Sequence, residues 1–251
     1  MNRLNLSQQD IYNGYLILVN SQYTIKKEIR IKNHTLTAVN HEHPNIVLEE
    51  MSVMYLKKLI AACNGEKEII PVSGYRTLKD QEKIYNDSLV ENGTAFTRQY
   101  VALPNCSEHQ TGYAIDVAEK KDAIDFICPS FPYEGICQRF RELAPDYGFI
   151  ERYPKGKEDI TKISHEPWHF RYVGYPHSKL ITTLGFTLEE YIEFIKAYKW
   201  EEKPLVFEDN QKKIKIYYIN ILDVGSQSIV LKGSWQISGN NVDGVILTVW
   251  E

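Results

Sequence analysis

Two short stretches constrain this chain more than anything else in it: Ser107-Glu108-His109-Gln110-Thr111-Gly112-Tyr113-Ala114-Ile115-Asp116 and Glu166-Pro167-Trp168-His169. Any fold in which their side chains act together must bring two distant segments to one point. Between them they offer two imidazoles, a carboxylate that can ligate a metal and a second that can take a proton. A catalytic zinc needs three protein ligands and an open position. His109, Asp116 and His169 can supply the three, which leaves Glu166 free to act as a base. Gly112, between His109 and Asp116, permits a turn that turns both inward. Glu166 and His169 are three apart and would face opposite ways in a regular strand. Pro167 interrupts that regularity, so a turn entering a strand can aim both into one cleft.

The rest of the chain limits the alternatives. Its 251 residues suffice for one large domain or a domain with an appendage. A net charge of −4 provides no basic face for nucleic acid or an anionic membrane. No apolar run approaches the roughly 20 residues of a membrane span. The start, Met1-Asn2-Arg3-Leu4-Asn5-Leu6-Ser7, lacks the apolar region of a signal peptide, so a cytoplasmic location is expected. Cys63, Cys106, Cys128 and Cys137 form no C-x-x-C pair and read as free thiols. Cys106 precedes His109 by three positions, but no cysteine-nucleophile signature surrounds it. His41-Glu42-His43-Pro44 has its two imidazoles too close in sequence and reads as a loop.

Periodicity places the elements. Alternation over 15–39 suggests a strand or hairpin whose first arm is Tyr15-Leu16-Ile17-Leu18-Val19. Val47, Met51, Met54, Tyr55, Ile60 and Ala61 fall near helical spacing over 46–63, with Asn64-Gly65 as a stop. Ile69-Ile70-Pro71-Val72 reads as a strand, with Pro71 favouring an edge. Thr77 can cap a helix running to Asn92-Gly93. A further helical segment lies within 123–143, interrupted or delayed by Pro129 and Pro132. Phe149-Ile150 and Phe170-Arg171-Tyr172-Val173 read as strands around a loop at 154–162. Thr187-x-x-Glu190 forms a capping box before a helix over 191–198. Beyond Lys203-Pro204 the chain turns β-like, and 204–251 reads as a small appendage of three or four strands.

With these motifs in order, the chain resembles a family. Ser107-x-His109-x-x-Gly112-x-Ala114-x-Asp116 followed by Glu166-x-x-His169 is similar to the signature of the zinc D-Ala-D-Ala peptidases. These include the vancomycin-resistance enzymes of VanX, VanY and VanXY type, with hedgehog-like relatives. Val72-Ser73-Gly74-Tyr75-Arg76 resembles the family's turn, and Leu16-Ile17-Leu18-Val19-Asn20 its opening strand. Tyr147-Gly148-Phe149-Ile150-x-Arg152-Tyr153-Pro154 and Glu166 through Gly174 resemble its C-terminal core. The likeness covers roughly 11–180.

The resemblance implies an α+β fold, an antiparallel sheet with flanking helices, for a catalytic domain over 1–203; the β subdomain over 204–251 has no assigned role. It implies one zinc ion on His109, Asp116 and His169, Glu166 as catalytic base and Arg76 as oxyanion stabiliser. Ser107 and Gln81 are candidate substrate contacts, as are Ser73, Tyr75 and Trp168; His165, beside the base, reads as a residue that supports the site from behind or is exposed. The implied activity is removal of C-terminal D-Ala from the peptidoglycan precursor pentapeptide, in support of vancomycin resistance. Family dipeptidases tend to carry an acid where this chain has Ser73, so hydrolysis of the D-Ala-D-Ala dipeptide is expected to be present or reduced. The partner is then a small peptide, and a homodimer is one role for the appendage. An L,D-carboxypeptidase or L-Ala-D-Glu endopeptidase on the same scaffold is the alternative. A non-catalytic zinc-stabilised domain would lack the base, and Glu166 argues against it.

Overall fold

The computed structural model describes residues 2–26, 35–209 and 212–251. In chain order its strands are β1 (Asn2–Leu6), β2 (Leu36–Ala38), β3 (Val47–Glu49), β4 (Ile69–Ser73), β5 (Ala114–Glu119), β6 (Phe149–Tyr153), β7 (Glu166–Tyr172), β8 (Leu205–Asp209), β9 (Lys212–Asn220), β10 (Gln227–Leu231), β11 (Ser234–Gly239) and β12 (Gly244–Trp250). The helices are α1 (Glu50–Ala62), α2 (Leu78–Glu91), α3 (Gly93–Tyr100), α4 (Gly135–Leu143), α5 (Glu158–Thr161), α6 (His177–Leu184), α7 (Leu188–Ile195) and α8 (Ile221–Val224). Two compact units result. Among the described residues the larger takes 19–25 and 35–187, the smaller 2–18, 26, 188–209 and 212–251.

In the larger unit β4, β5, β7 and β6 form an antiparallel sheet in that order, and β2 pairs with β3. Pro71 lies in β4 at the sheet's edge, beside a shift in register with β5, the kind of place a sheet tolerates a missing N–H. β5 is buried on both faces from Ala114 to Ala118, so its sequence shows no alternation. Phe131 and Phe140 meet Phe170 of β7 edge-on, with centroids 5.7 and 4.9 Å away. Those rings anchor α4 against the sheet. The helix begins only at Gly135, beyond Pro132.

α1 starts later than its spacing suggests, because 47–49 pairs as β3 and the Glu49 carboxylate caps the helix, accepting the N–H groups of Met51 and Ser52. Its buried face is Val53, Leu56 and Leu59, whereas Met51 and Met54 are exposed. α2 keeps its Thr77 cap in a capping box with Asp80. α7 begins at Leu188, three residues ahead of the expected helix over 191–198.

The strand expected at 15–19 does not form. Leu16, Ile17 and Leu18 are buried irregular backbone. Leu16 N–H donates to Ser238 Oγ and Leu18 N–H to the Asn240 carbonyl, at 2.8 and 3.0 Å. The run is apolar because it is buried, not because it pairs. The rest of that expected hairpin includes 27–34, which lie outside the described residues.

The smaller unit holds the antiparallel sheet β11-β12-β9-β8 and the pair β1-β10. Five strands come from 204–251, rather than three or four. β8 and β11 carry Glu208, Asp209, Gln236 and Ser238 among their apolar residues, which hides them as strands. The division also differs from the expected boundary at 203/204. Leu4, Leu6 and Ile11 share one core with Ile219, Ile221, Val245 and Leu247, which ties the N-terminal strand to the C-terminal ones. No helix among the described residues is long and apolar enough to cross a membrane.

Candidate metal and catalytic site

Strand register assembles the site in the larger unit. Ser73 of β4 lies opposite Asp116 of β5, and Asp116 lies opposite His169 of β7. Facing positions on adjacent antiparallel strands bring their side chains together on one face. His109 arrives from a 3₁₀ turn, Glu108–Thr111, just before β5. Gly112 ends that turn in the left-handed region at φ 77°, which a side chain would strain. Gly74 has no room for a Cβ, which would come within 2.5 Å of the Val47 carbonyl. Its own carbonyl accepts His109 Nδ1–H at 2.7 Å.

The ligand atoms of His109, Asp116 and His169 lie within 4.8 Å of one another, and all three residues are buried. The carbonyl partner can only accept, so Nδ1 of His109 carries the proton and Nε2 of the neutral ring is a lone pair. Burial, then the nearby Arg76 charge, pushes the His109 pKa down to about 4, which keeps the ring neutral at pH 7. That lone pair faces Asp116 Oδ2 at 3.1 Å. A cation between two such acceptors would be held by both, beside the Arg76 Nη2 that donates to the same Oδ2 at 3.0 Å. Asp116 itself stays ionised: burial opposes the charge, but the hydrogen bond and charge of His169 outweigh it, with Arg76 Nη2 3.0 Å from Oδ2. His169 Nδ1 meets Asp116 Oδ1 at 2.9 Å. Two imidazoles and one carboxylate form a donor set suited to zinc, with room left for a further ligand.

Glu166 opens β7, with Oε2 3.8 Å from His169 Nδ1. The two reach one cleft because β7 is locally irregular. Tyr153 pairs with Glu166 and Glu151 with Phe170, so one β6 residue between the pairs opposes three on β7, 167–169. This bulge resets the alternation. Burial, with the Asp116 and Glu108 charges added to it, pushes the Glu166 pKa up to about 8 against the opposing pull of His169 and Arg76. Arg76 donates to Asp116 Oδ2 at 3.0 Å, to Ser73 Oγ at 2.9 Å and to Gln81 Oε1 at 3.4 Å.

The expected residues divide. Arg76, Gln81, Ser107, Glu166 and Trp168 line the same cavity as the three candidate ligands. Ser73 and Tyr75 do not line it. Ser73 is buried behind Arg76. His165 is turned away, with Nε2 2.6 Å from Tyr133 Oη. All four cysteines are free; Cys63 and Cys137 are buried, and burial raises the pKa of Cys106, which argues against a reactive thiolate.

Two supporting groups escaped the sequence reading. Glu108 is wholly buried, and its Oε1 lies 2.8 Å from Arg152 Nε and 2.9 Å from Arg171 Nη1. Burial would raise its pKa, but Arg152 and Arg171 hold it well below the usual carboxylate range. Its Oε2 stands 3.6 Å from His169 Nε2, an electrostatic contact longer than a hydrogen bond. Arg141 donates to the Pro167 carbonyl in the bulge at 2.9 Å and pairs with Glu151 at 2.5 Å. Charged residues flanking two motifs gave no spacing signal, although acids and arginines beside apolar strands could have raised the question of a buried pair.

Residues 45–175 match the family described as "VanY: D-alanyl-D-alanine carboxypeptidase". The chain is 49% identical over 175 residues, 65% of its own length and 92% of the relative's, to the bifunctional D-Ala-D-Ala dipeptidase and D-Ala-D-Ala carboxypeptidase VanXYC of Enterococcus gallinarum. It superposes with a TM-score of 0.94 and 48% identity on the vancomycin resistance D,D-dipeptidase VanXYg in complex with a D-Ala-D-Ala phosphinate analogue, covering 100% of this chain and 99% of that one. A mutant of the vancomycin resistance D,D-pentapeptidase VanY from a VanB-type cassette, in complex with Zn(II), matches with a TM-score of 0.56 and 30% identity over 71% of this chain and 98% of its own.

Proposed function

The chain belongs to the VanY family of D-alanyl-D-alanine carboxypeptidases, and from that premise we propose that it is a cytoplasmic zinc D,D-peptidase of vancomycin resistance. It removes the C-terminal D-Ala of the precursor pentapeptide and cleaves the D-Ala-D-Ala dipeptide as well, the two activities in the name of its E. gallinarum relative. The observation that carries the reading is the neutral His109 Nε2 facing Asp116 Oδ2 beside His169, an arrangement completed by a cation.

One zinc ion on His109, Asp116 and His169 would polarise the scissile carbonyl and acidify a water. Glu166 accepts the proton of the attacking water and delivers it to the leaving amine. Buried in the cavity wall with Oε2 3.8 Å from His169 Nδ1, one carboxylate can do both. Arg76 remains protonated and donates to the oxygen that becomes negative. Gln81 fixes Arg76 and is itself held through the Ala102 carbonyl at 2.8 Å. Ser107 and Trp168, on the cavity wall, orient the peptide.

D-Ala release from the pentapeptide and the dipeptide tests this reading, using enzyme stripped with a chelator and then reloaded with zinc. Activity should vanish and return with the metal, and Glu166→Ala should lose roughly a hundredfold or more in kcat. Full turnover without Glu166 would sink the assignment.

A further inference from the structure

Beside the catalytic cavity lies a groove of about 460 Å³, within the size range of ligand sites. The two share Val101, Ala102, Tyr153 and Ile163 as walls, so they are immediate neighbours. Tyr153 stands at the junction, its ring 4.9 Å from that of His169. The groove has room for several residues, far more than one alanine fills.

Its charge is unlike the rest of this acidic chain. Arg98 of α3 and Lys162, the residue that ends α5, both line it. Both are exposed, and no ion pair or side-chain hydrogen bond engages either among the described residues. Lys162 is nevertheless fixed in place: its backbone is left-handed at φ 63° and its N–H donates to the Glu158 carbonyl at 2.9 Å. On the cavity's other flank, past Phe126 and Ile127, the lining carries Asp87, Glu91 and Asp125, and Lys83 there is already paired with Asp87. An anionic substrate is therefore drawn toward the Arg98 side and repelled from the other.

We propose that this groove is the subsite for the part of the precursor that precedes its D-Ala-D-Ala end, and that Arg98 and Lys162 receive an anionic group there. The inference rests on the peptidase reading above. The anion is a carboxylate of the peptide, such as that of a γ-linked D-Glu, or a phosphate of a nucleotide-linked precursor. The dipeptide, which ends before the groove, does not use it.

The test compares wild type with the Arg98→Gln/Lys162→Gln double variant on four substrates: D-Ala-D-Ala, acetyl-L-Lys-D-Ala-D-Ala, L-Ala-γ-D-Glu-L-Lys-D-Ala-D-Ala and its nucleotide-linked form. KM for the acidic peptides should rise about tenfold with kcat held, as loss of two exposed ion pairs allows, and the neutral peptides should change by less than about twofold. A rise shared by both acidic substrates assigns the anion to the peptide carboxylate. A rise confined to the nucleotide-linked form assigns it to phosphate. An equal rise for all four would mean that the groove reads the C-terminal carboxylate and would overturn the proposal, as would no rise at all. If wild type releases no D-Ala from any substrate, the peptidase reading has failed instead. Calorimetric binding of the acidic pentapeptide to both proteins then decides the groove: weaker binding to the variant supports it, and equal binding refutes it.

Discussion

Removing the Glu108 charge should cost more stability than any exposed substitution in this chain. The carboxylate and its two guanidinium partners are all fully buried, and both arginines approach the same oxygen, at 2.8 and 2.9 Å. Breaking one buried ion pair typically costs about 3–5 kcal/mol, because the surviving charge is left without solvent or partner. Here Arg152 and Arg171 would also repel each other. Glu108→Ala is therefore expected at about 5 kcal/mol or beyond, comparable to the whole stability of a small domain. Glu108→Gln keeps an accepting oxygen, and about 3 kcal/mol is expected. Urea unfolding of the chelator-treated protein reads this as a lower midpoint at unchanged slope. Zinc titration should show a second effect, since His169 loses the carboxylate behind its Nε2, with affinity falling roughly tenfold to a hundredfold. A Gln variant within about 1 kcal/mol of wild type, with unaltered zinc affinity, would refute the reasoning.

Further outcomes follow from neighbouring groups. Glu166 has its folded pKa raised to about 8, so between its ordinary value and that pH the folded protein holds a proton the unfolded chain has lost, and stability falls as pH rises. Melting curves without metal should show Glu166→Gln gaining on wild type from pH 5 to pH 8; a constant difference would contradict the raised pKa. Arg141→Ala strands the Pro167 carbonyl and leaves Glu151 its Tyr133 hydroxyl but not its cation, so kcat should fall roughly tenfold or more while zinc still binds, and an unchanged kcat would dissociate Arg141 from the bulge. Truncation after Lys203 uncovers Leu4, Leu6 and Ile11, each worth about 1.5–3 kcal/mol of burial, and the product should aggregate in a light-scattering assay; a monodisperse truncated protein would show the N-terminal strand to be dispensable.

The donor set of the candidate site was legible in the sequence because metal ligation and proton transfer call for particular side chains. His109, Asp116, Glu166 and His169 announce themselves by type. Their convergence was legible only in part. Gly112 is visible as a turn, but the three-residue bulge at 167–169 depends on the pairing of Glu151 and Tyr153 with β7, and local sequence contains no partner strand. Glu108 and Arg171 were hidden for a related reason. A buried charge and an exposed one have the same letter, and only tertiary packing distinguishes them. The smaller unit was misdivided because β1 is paired with β10 across nearly the full length of the chain.

Ser73 shows how the same packing changes an argument made from residue type. By type, a neutral residue there withholds an anion from the dipeptide's ammonium. In the structure Ser73 sits off the cavity wall, opposite Asp116, with its Oγ accepting from Arg76 Nε at 2.9 Å. A carboxylate at this position would be taken up by Arg76, which already serves Asp116 at 3.0 Å. Ser73→Asp should then supply no free anion to an ammonium group. It should divide Arg76 between two carboxylates and weaken its donation to the reacting oxygen, lowering kcat on dipeptide and pentapeptide alike by roughly tenfold to a hundredfold. Parallel kinetics on the two substrates would separate the views. A ratio of dipeptide to pentapeptide turnover that rose about tenfold would mean that residue 73 reaches the substrate after all; an unchanged ratio with both rates depressed would make it a residue that tunes Arg76.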